Sequence, residues 1–403
     1  MATPRSETSP ASARVIRNDE EAIAVARELA ASFGREAAAR DRDRRLPYAE
    51  LEEFSNSGLW AVTVPKKYGG AGVSFATVTE IFRLISAVDP SIGQIPQNHF
   101  GVLDILEQSG TDEQKRLFYA EVLAGKRLGN GFAERGTKHV LDLKTRLQRD
   151  GDGYRLNGQK FYSTGALFAH WVPVLALDEE ERAVLAFLPR DTEGLTITDD
   201  WDGFGQRTTA SGTVTVENVR VPVRYVVAAY RAYERPTRNG PVCQIIQAAI
   251  DAGIGRGALA DTLTFVRERS RPWVDSGVAR AAEDPLVIRD VGDLSVRLHA
   301  AEALLLRAAH VLDGLPAEPT EEEVARASVA VAEAKVLTTE IALLAGSKLF
   351  ELAGTQATLG EHNLDRHWRN ARTHTLHDPV RWKYHLIGNY VLNQVAPPRH
   401  AWN

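Results

Sequence analysis

Apolar and polar residues alternate with different periods in successive parts of this chain. From Asn18 to about residue 125, apolar residues recur every three or four positions, as on one face of an α-helix. Asn18 followed by Glu21 predicts a capping box at the start of the first helix. Further helices are predicted at 49–59, 78–88 and 104–123. The first part of the chain is therefore predicted to be entirely helical.

The period changes to that of β-strands near residue 128. The pairs Asp150-Gly151 and Asn157-Gly158 are tight-turn signals flanked by alternating residues. Short apolar runs at 172–177 and 184–188, and the alternating segment 213–216, predict further strands. The middle of the chain is therefore predicted to be a β domain.

The helical period returns after residue 242, in long segments at 245–269, 284–312, 320–353 and 379–394. Helices, then strands, then helices, without alternation, argue against a doubly wound parallel sheet. We predict an α+β fold with a helical N-terminal domain, a middle β domain and a helical C-terminal domain. The expected bounds are 18–127, 128–230 and 231–403, after a disordered lead-in at 1–17 that is rich in Ser, Thr, Pro and Ala.

One glycine-rich segment resembles a dinucleotide-binding loop. Gly253-Ile254-Gly255-Arg256-Gly257-Ala258 fits the pattern G-x-G-x-x-A. That pattern requires a preceding strand, whereas this segment lies inside a predicted helix. Close packing between helices is the favoured interpretation.

Composition narrows the class of protein. The 403 residues are 44% hydrophobic and 25% charged, with a formal net charge of −5, which favours neither nucleic acid nor an anionic membrane as a partner. The single cysteine, Cys243, excludes an intramolecular disulfide and fits a reducing compartment. No apolar run is long enough to span a membrane, and the first residues do not resemble a signal peptide. We therefore expect a cytoplasmic protein.

Several segments resemble the acyl-CoA dehydrogenases. In the middle part these are residues 130–134, 156–165 and 203–209, and in the C-terminal part 351–356 and 365–372, which resemble a loop and helix near the flavin in that family. The resemblance extends over nearly all of 18–395. It implies a β-barrel-like middle domain, a C-terminal four-helix bundle and a homotetramer.

The late loop departs from the dehydrogenase pattern. Dehydrogenases of this family carry a catalytic glutamate there, typically in Glu-Gly-Thr, whereas this loop reads Thr373-His374-Thr375-Leu376-His377 and His377 takes the glutamate position. With 161–165 and 269–277, this loop resembles a narrower branch, the flavin monooxygenases of sulfur acquisition. That branch contains enzymes of the dibenzothiophene monooxygenase type and their relatives linked to dimethyl sulfone use. The resemblance implies reduced FMN from a separate flavin reductase, O2 and an organosulfur substrate.

The residue types at the expected site suit proton transfer beside a flavin. Imidazole titrates near neutral pH, so His377 can donate or accept a proton. The resemblance implies oxygenation through a flavin C4a-peroxide, with His99 facing the flavin from the N-terminal domain. Asn130 and Ser163 are expected to bind the reacting edge of the flavin. The predicted catalytic residues are therefore His377, His99, Ser163 and Asn130.

The remaining predicted site residues bind the cofactor. Its phosphate requires cations or N–H donors, and Arg269 and Arg271 resemble the arginine of the family that contacts it, sometimes from a neighbouring subunit. FMN is favoured over FAD, which would need room for AMP across a subunit boundary. His374 and His377 lack a third residue that would complete a familiar metal site, so no metal is expected. The predicted cofactor-binding residues are Ser163, Thr164, Arg269, Arg271, Gly354, Gln356 and Arg372, with Arg369 as an alternative.

Three other functions remain open at this point. The first is an FAD-dependent acyl-CoA dehydrogenase or oxidase, which the missing glutamate disfavours. The second is an N-oxygenating flavin monooxygenase of the same fold, acting on amino sugars. The third is a flavin-free scaffold. Within the favoured function, monooxygenation of a sulfone, sulfoxide or thioether, the polar segment 134–139 favours a small polar substrate over a bulky aromatic one.

Overall fold

The N-terminal part of the molecule is helical, as predicted. The computed structural model describes residues 13–403. Asn18 caps the first helix, with its side chain accepting a hydrogen bond from Glu21 N–H at 2.9 Å. Glu21 binds Arg17 N–H instead of Asn18 N–H, so the predicted box is displaced by one residue. The helices are α1 Asp19–Gly34, α2 Ala37–Asp43, α3 Tyr48–Ser57, α4 Phe75–Val88, α5 Pro90–Gln94, α6 Gln97–Ser109 and α7 Asp112–Leu123.

Residues 13–17 pack against this domain. The N–H of Arg14 donates to the carbonyl of Asn56 at 3.0 Å, and Ile16 is buried. The expectation of a disordered lead-in is therefore wrong for residues 13–17, because an isolated apolar residue in a polar segment gave no periodic signal. Its remainder, residues 1–12, lies outside the described residues.

The middle domain is a seven-stranded mixed sheet in the order β5-β6-β2-β1-β3-β4-β7. The pair β1–β3 is parallel and the other neighbours are antiparallel. The sheet is curled, since β4 and β6 contact each other although they are not hydrogen-bonded neighbours. The strands are β1 Arg146–Asp150, β2 Gly153–Lys160, β3 Trp171–Leu177, β4 Ala183–Pro189, β5 Leu195–Thr198, β6 Thr213–Pro222 and β7 Val226–Val227.

The C-terminal part is a bundle built around one buried helix, α9. Helix α9 packs against α10, α11 and α12 and also against α4 of the N-terminal domain, while α13 packs against α11. No helix between residues 13 and 403 is long and apolar enough to cross a membrane. The helices are α8 Arg231–Glu234, α9 Asn239–Glu268, α10 Pro285–Asp313, α11 Glu321–Ala353, α12 Asp365–His374 and α13 Val380–Asn393.

The glycine-rich segment of α9 lies at a close helix contact. A Cβ on residue 253 would lie 2.6 Å from the carbonyl oxygen of Arg83, and one on residue 257 would lie 2.2 Å from that of Ala87. The glycines therefore let α9 approach the end of α4, which confirms close packing as the interpretation. The predicted three-domain fold is confirmed, while its residue bounds stay a prediction.

Candidate active site

A loop of the middle domain, residues 201–212, rests directly on α12. A Cβ on residue 205 would lie 2.0 Å from the carbonyl oxygen of Arg369, so only glycine fits there. The next residue, Gln206, adopts a positive φ of 52° and donates its backbone N–H to the side chain of Asn370 at 2.7 Å. Positive φ is unusual outside glycine and is kept only where surrounding contacts hold it. We call residues 201–212 the docking loop.

The other end of the docking loop holds Ser163. Ser163 N–H donates to the carbonyl of Gly212 at 3.2 Å, and the hydroxyls of Thr164 and Thr209 each lie 2.7 Å from the Ser211 hydroxyl. The backbone around Ser163 and the hydroxyl of Thr164 are therefore fixed. The Ser163 hydroxyl itself is buried and has no hydrogen-bond partner among the described residues.

Asn130 lies beside Ser163. Its Nδ2 donates to the carbonyl of Tyr162 at 3.3 Å, while its Oδ1 is buried without a partner in the described part of the chain. The N-terminal domain meets this segment at Gly165, where a Cβ would lie 3.2 Å from Ile95, between α5 and α6. Ser163, Thr164 and Asn130 are therefore brought together, as predicted, where the N-terminal and middle domains meet.

His99 is fully buried, and both of its ring nitrogens bind backbone groups. Nε2 donates to the carbonyl of Trp60 at 2.8 Å, and Nδ1 accepts from the N–H of Leu128 at 3.1 Å. Burial lowers the pKa of His99 to about 4, against the hydrogen bond to Trp60, so the ring is neutral at physiological pH. These contacts join the N-terminal helices to the start of the middle domain, and they favour a structural role over the predicted catalytic one.

The late loop begins at His374, which lies at the end of α12 and is buried. Its Nδ1 lies 2.5 Å from Oδ1 of Asp251 on α9. Oδ2 of Asp251 accepts from Lys335 Nζ at 2.8 Å and from Thr339 Oγ1 at 3.0 Å, both on α11. Nε2 of His374 is buried with no partner within residues 13–403. Sequence analysis did not select His374, and it gave no sign of a contact with Asp251.

His377 is the more accessible of the two histidines, with 33% of its side chain exposed. Its Nδ1 lies 3.7 Å from the buried carboxylate of Asp378, which also lies 3.4 Å from Lys383 Nζ. Burial raises the pKa of Asp378, but His377, Lys335 and Lys383 outweigh this effect and lower it. His377 therefore has an ionised carboxylate beside it at physiological pH and an open side for proton exchange. No group of three or more His, Cys, Asp or Glu in the described chain is arranged to hold a metal ion.

The predicted phosphate-binding residues form a second, exposed group at the end of α9. Ser270 Oγ donates to the carbonyl of Ala353 at 3.0 Å, which brings Arg269 and Arg271 beside the turn that begins at Gly354. Gly354 has a φ of 81°, and the nearby Gln356 is exposed. Among the described residues no hydrogen bond connects this group to Ser163.

Two of the three arginines of α12, Arg369 and Arg372, differ in their contacts. Arg369 binds the carboxylates of Asp41 and Asp365, each at 2.7 Å, so its charge is already balanced. Arg372 is half-buried and makes no side-chain hydrogen bond to another described residue. Arg372 therefore suits an anionic ligand better than Arg369.

The site residues fit a flavin. An unpartnered buried polar group costs about 1–3 kcal/mol, so a concentration of such groups indicates a ligand that would bind them. The isoalloxazine ring presents nitrogen and oxygen atoms along one edge, and the exposed arginines suit a phosphate. Gln206 and Gln247 were missed because nothing in the sequence separates them from surface glutamines. The unpartnered buried side-chain groups of the described chain include Asn130 Oδ1, Ser163 Oγ, His374 Nε2 and both amide atoms of Gln206 and Gln247.

Comparisons with known proteins agree with this architecture. Three family models match: acyl-CoA dehydrogenase N-terminal domain at 18–126, middle domain at 133–219 and C-terminal domain at 245–382. Dibenzothiophene monooxygenase of Mycolicibacterium goodii is 34% identical, over 93% of this chain and 94% of its own. The probable FMNH2-dependent monooxygenase SfnC of Pseudomonas putida is 32% identical, over 93% and 96%.

A solved structure extends the agreement to three dimensions. FMN-bound TdsC from Paenibacillus sp. A11-2 superimposes with a TM-score of 0.90 at 32% identity, over 95% of this chain and all of that one. The predicted fold and family are therefore confirmed: the chain belongs to the acyl-CoA dehydrogenase family, in the branch that contains the flavin monooxygenases of sulfur acquisition.

Proposed function

We propose that this protein is a reduced-FMN-dependent monooxygenase that oxidises an organosulfur compound. The observation that carries the proposal is the late loop, where His377 takes the position of the dehydrogenase glutamate and both His374 and His377 lie beside buried carboxylates. The relatives support the same class, since one is named for dibenzothiophene oxygenation, another for dependence on FMNH2, and a third binds FMN. The prediction of a flavin monooxygenase that uses FMN is thereby confirmed.

The side chains divide the work as follows. Reduced flavin, when bound, supplies the activation of O2. Ser163 Oγ and Asn130 Oδ1 would hydrogen-bond the bound flavin, and the fixed Thr164 hydroxyl holds the backbone that presents Ser163. His377 is open to solvent on one side and paired with Asp378 on the other, so it can move a proton between the site and solvent. Arg269, Arg271 or Arg372 balances the phosphate, with the turn at Gly354 and Gln356 beside it.

The expected preference for a small polar substrate loses one of its supports. Glu134 begins the polar segment 134–139, but its carboxylate turns inward. It accepts from Lys160 Nζ at 2.6 Å, Thr145 Oγ1 at 2.7 Å and Lys144 N–H at 2.7 Å. Glu134 is therefore structural, and we propose a sulfone, sulfoxide or thioether without ranking them by size.

We also propose a separate flavin reductase as partner, a homotetrameric assembly and a cytoplasmic location. Large apolar side chains on α10 and α13 are exposed in the single chain, and such patches are typical of interfaces between subunits. An assembly would also explain why the exposed arginine group lies apart from Ser163, because a neighbouring subunit can supply it. The exposed apolar residues are Leu286, Ile288, Val296 and Leu306 on α10, and Trp382, Val391 and Leu392 on α13.

Oxygen-isotope labelling tests the proposal. The protein is incubated with chemically reduced FMN, ¹⁸O2 and either dibenzothiophene or dimethyl sulfone, and the products are analysed by mass spectrometry. We expect one ¹⁸O atom in the product of at least one compound, dependent on reduced FMN. Oxidation of FMNH2 with no labelled product, together with bleaching of copurified FAD by an acyl-CoA, would instead establish a dehydrogenase.

A further inference from the structure

Three helices contribute to a buried charged chain behind the late loop. Lys335 on α11, Asp251 on α9 and His374 on α12 are linked in that order, at 2.8 Å and 2.5 Å. The side chains of Lys335 and Asp251 are 1% and 0% exposed. Ionised groups at such depth are retained only when they are paired. Lys335 alone would balance the charge of Asp251, so packing does not require His374 as a second partner.

The buried charged chain fixes which ring nitrogen of His374 carries the proton. Asp251 is an ionised carboxylate that only accepts hydrogen bonds, so the ring nitrogen facing it, Nδ1, must carry a proton. Lys335 already balances the charge of Asp251, and burial lowers the pKa of His374, against the attraction of Asp251. A neutral ring with its proton on Nδ1 leaves a lone pair on Nε2.

His374 lies on the face of α12 that meets the docking loop. Asn370, one turn before His374 on α12, binds the backbone of Gln206 in this loop, and the same loop holds Ser163. Gln247, one turn before Asp251 on α9, is buried and has an unpartnered amide within residues 13–403. Residues four apart share a helix face, so His374 lies on the face of α12 that meets the docking loop, and Gln247 lies on the face of α9 that carries Asp251.

We propose that Asp251 and Lys335 are positioning residues that hold His374 as the Nδ1–H tautomer, with Nε2 as a proton acceptor for the flavin site. This inference rests on the proposed function and gives the late loop two histidines with different tasks. His374 accepts from a fixed position inside the protein, while His377 exchanges protons with solvent. The charged groups around His374 are Asp251 on α9, Lys335 on α11, His377 and Asp378 in the late loop and Lys383 on α13.

Long-range ¹H–¹⁵N correlation spectra of protein labelled with ¹⁵N-histidine test the tautomer. The flavin-free protein is used, and the His374 signals are identified by their loss in His374→Gln. At pH 7 we expect a protonated Nδ1 and an unprotonated Nε2. A proton on Nε2 of His374 in the unmodified protein would overturn the proposal.

Two substitutions test the effects of Lys335 and Asp251 on His374 separately. In Lys335→Met the positive charge that opposes protonation of His374 is gone, so its titration midpoint rises by about one pH unit or more. In Asp251→Asn the amide can donate to Nδ1, so the proton moves to Nε2. An unchanged midpoint in the first variant together with an unchanged tautomer in the second contradicts the proposal.

Matched controls exclude a general effect of disturbing buried pairs. Thr339→Val removes the neutral hydrogen bond to Asp251 and should leave the tautomer unchanged. Lys160→Met breaks a buried lysine–carboxylate pair in the middle domain, with Glu134, and should leave His374 unchanged. If Lys160→Met moves the His374 midpoint as far as Lys335→Met does, the proposed specificity is lost.

Kinetics distinguish this proposal from the proposed function. With ¹⁸O incorporation as the assay, Asp251→Asn should lower kcat on the order of 10²-fold with little change in KM, and Asp251→Glu should restore part of it. Full activity in Asp251→Asn beside the expected tautomer change would refute the proton-accepting role. The absence of activity in the unmodified protein would refute the proposed function, while the spectra would still report on His374.

Discussion

The side chain of Asn370 accepts a hydrogen bond from the backbone N–H of Gln206 at 2.7 Å, and both residues are buried. The bond joins α12, which ends at His374, to the docking loop, whose far end binds Ser163. The two domains that contribute to the proposed flavin site are therefore held in register by this amide, together with the bond that Arg369 Nη1 donates to the carbonyl of Phe204 at 3.0 Å. A buried donor that loses its partner keeps its full desolvation cost.

Asn370→Ala should destabilise the protein and weaken FMN binding together. The unpaired N–H of Gln206 costs about 1–3 kcal/mol of unfolding free energy. Thermal unfolding and a fluorescence titration with FMN measure the two effects. Asn393→Ala on α13 removes an exposed amide that bonds only Asn389, and it should alter neither quantity. Equal behaviour of the two variants would show that the docking contact does not support the site.

Gly205→Ala should be more damaging than its size suggests. The added methyl would lie 2.0 Å from the carbonyl oxygen of Arg369 and 2.6 Å from Thr373 Oγ1, so the docking loop must move away from α12. We expect a loss of about 1–3 kcal/mol or more and a marked fall in FMN affinity. The control is Gly314→Ala at the C-terminal end of α10, where φ is −81° and a Cβ would lie 3.5 Å from the carbonyl oxygen of His310, an ordinary contact. It should leave the stability unchanged or slightly raised, and destabilisation by both variants would argue against steric docking.

Ser163→Ala and Ser211→Ala should separate binding from folding. The Ser163 hydroxyl has no partner among residues 13–403, so its removal should leave the melting temperature of the flavin-free protein unchanged or raise it, and should weaken FMN binding by about tenfold. The Ser211 hydroxyl lies 2.7 Å from those of Thr164 and Thr209, so its removal should cost about 1–2 kcal/mol. A stability loss in Ser163→Ala without a change in FMN affinity would mean that its hydroxyl serves packing instead.

The architecture could be predicted from the sequence because the spacing of apolar residues indicates which face of each helix or strand is buried. Helical and strand periods predicted the three domains, and the segments around Asn130 and Ser163 identified residues that lie together. Contacts between distant segments carry no such signal. His374 and Asp251 are 123 residues apart, and neither the sequence nor its periodicity indicates that they meet.

The lack of a sequence signal for distant contacts also explains why His99 was predicted to be catalytic although its ring nitrogens bind backbone groups. Its position beside apolar residues fitted both a flavin contact and a buried structural histidine. The carbonyl of Trp60 and the N–H of Leu128 use both ring nitrogens and favour the structural alternative, while the catalytic role stays a prediction. Backbone groups cannot be recognised as partners in a sequence, because every residue except proline carries the same two.

The buried pair of Glu134 and Lys160 should make stability depend on pH in acid. Burial raises the pKa of Glu134, but hydrogen bonds from Lys160, Thr145 and the N–H of Lys144 outweigh this and lower it to about 2, from an ordinary value of 4.5. The folded form therefore holds the ionised carboxylate more strongly than the unfolded form does. This stabilisation is present above about pH 4.5 and is lost as the pH falls toward 2.

Glu134→Gln tests this dependence, because it removes the ionisable partner and keeps the shape. At pH 7 the variant leaves Lys160 buried without a counterion, which costs about 3–5 kcal/mol. Urea unfolding from pH 7 down to pH 2.5 should show the difference from the unmodified protein shrinking below pH 4.5, as Glu134 itself becomes protonated. Asp152→Asn, which removes an exposed pair with Arg220, should follow the unmodified protein at every pH. A difference for Glu134→Gln that stays constant down to pH 2.5 would mean that Glu134 acts through its shape and hydrogen bonds, and not through its charge.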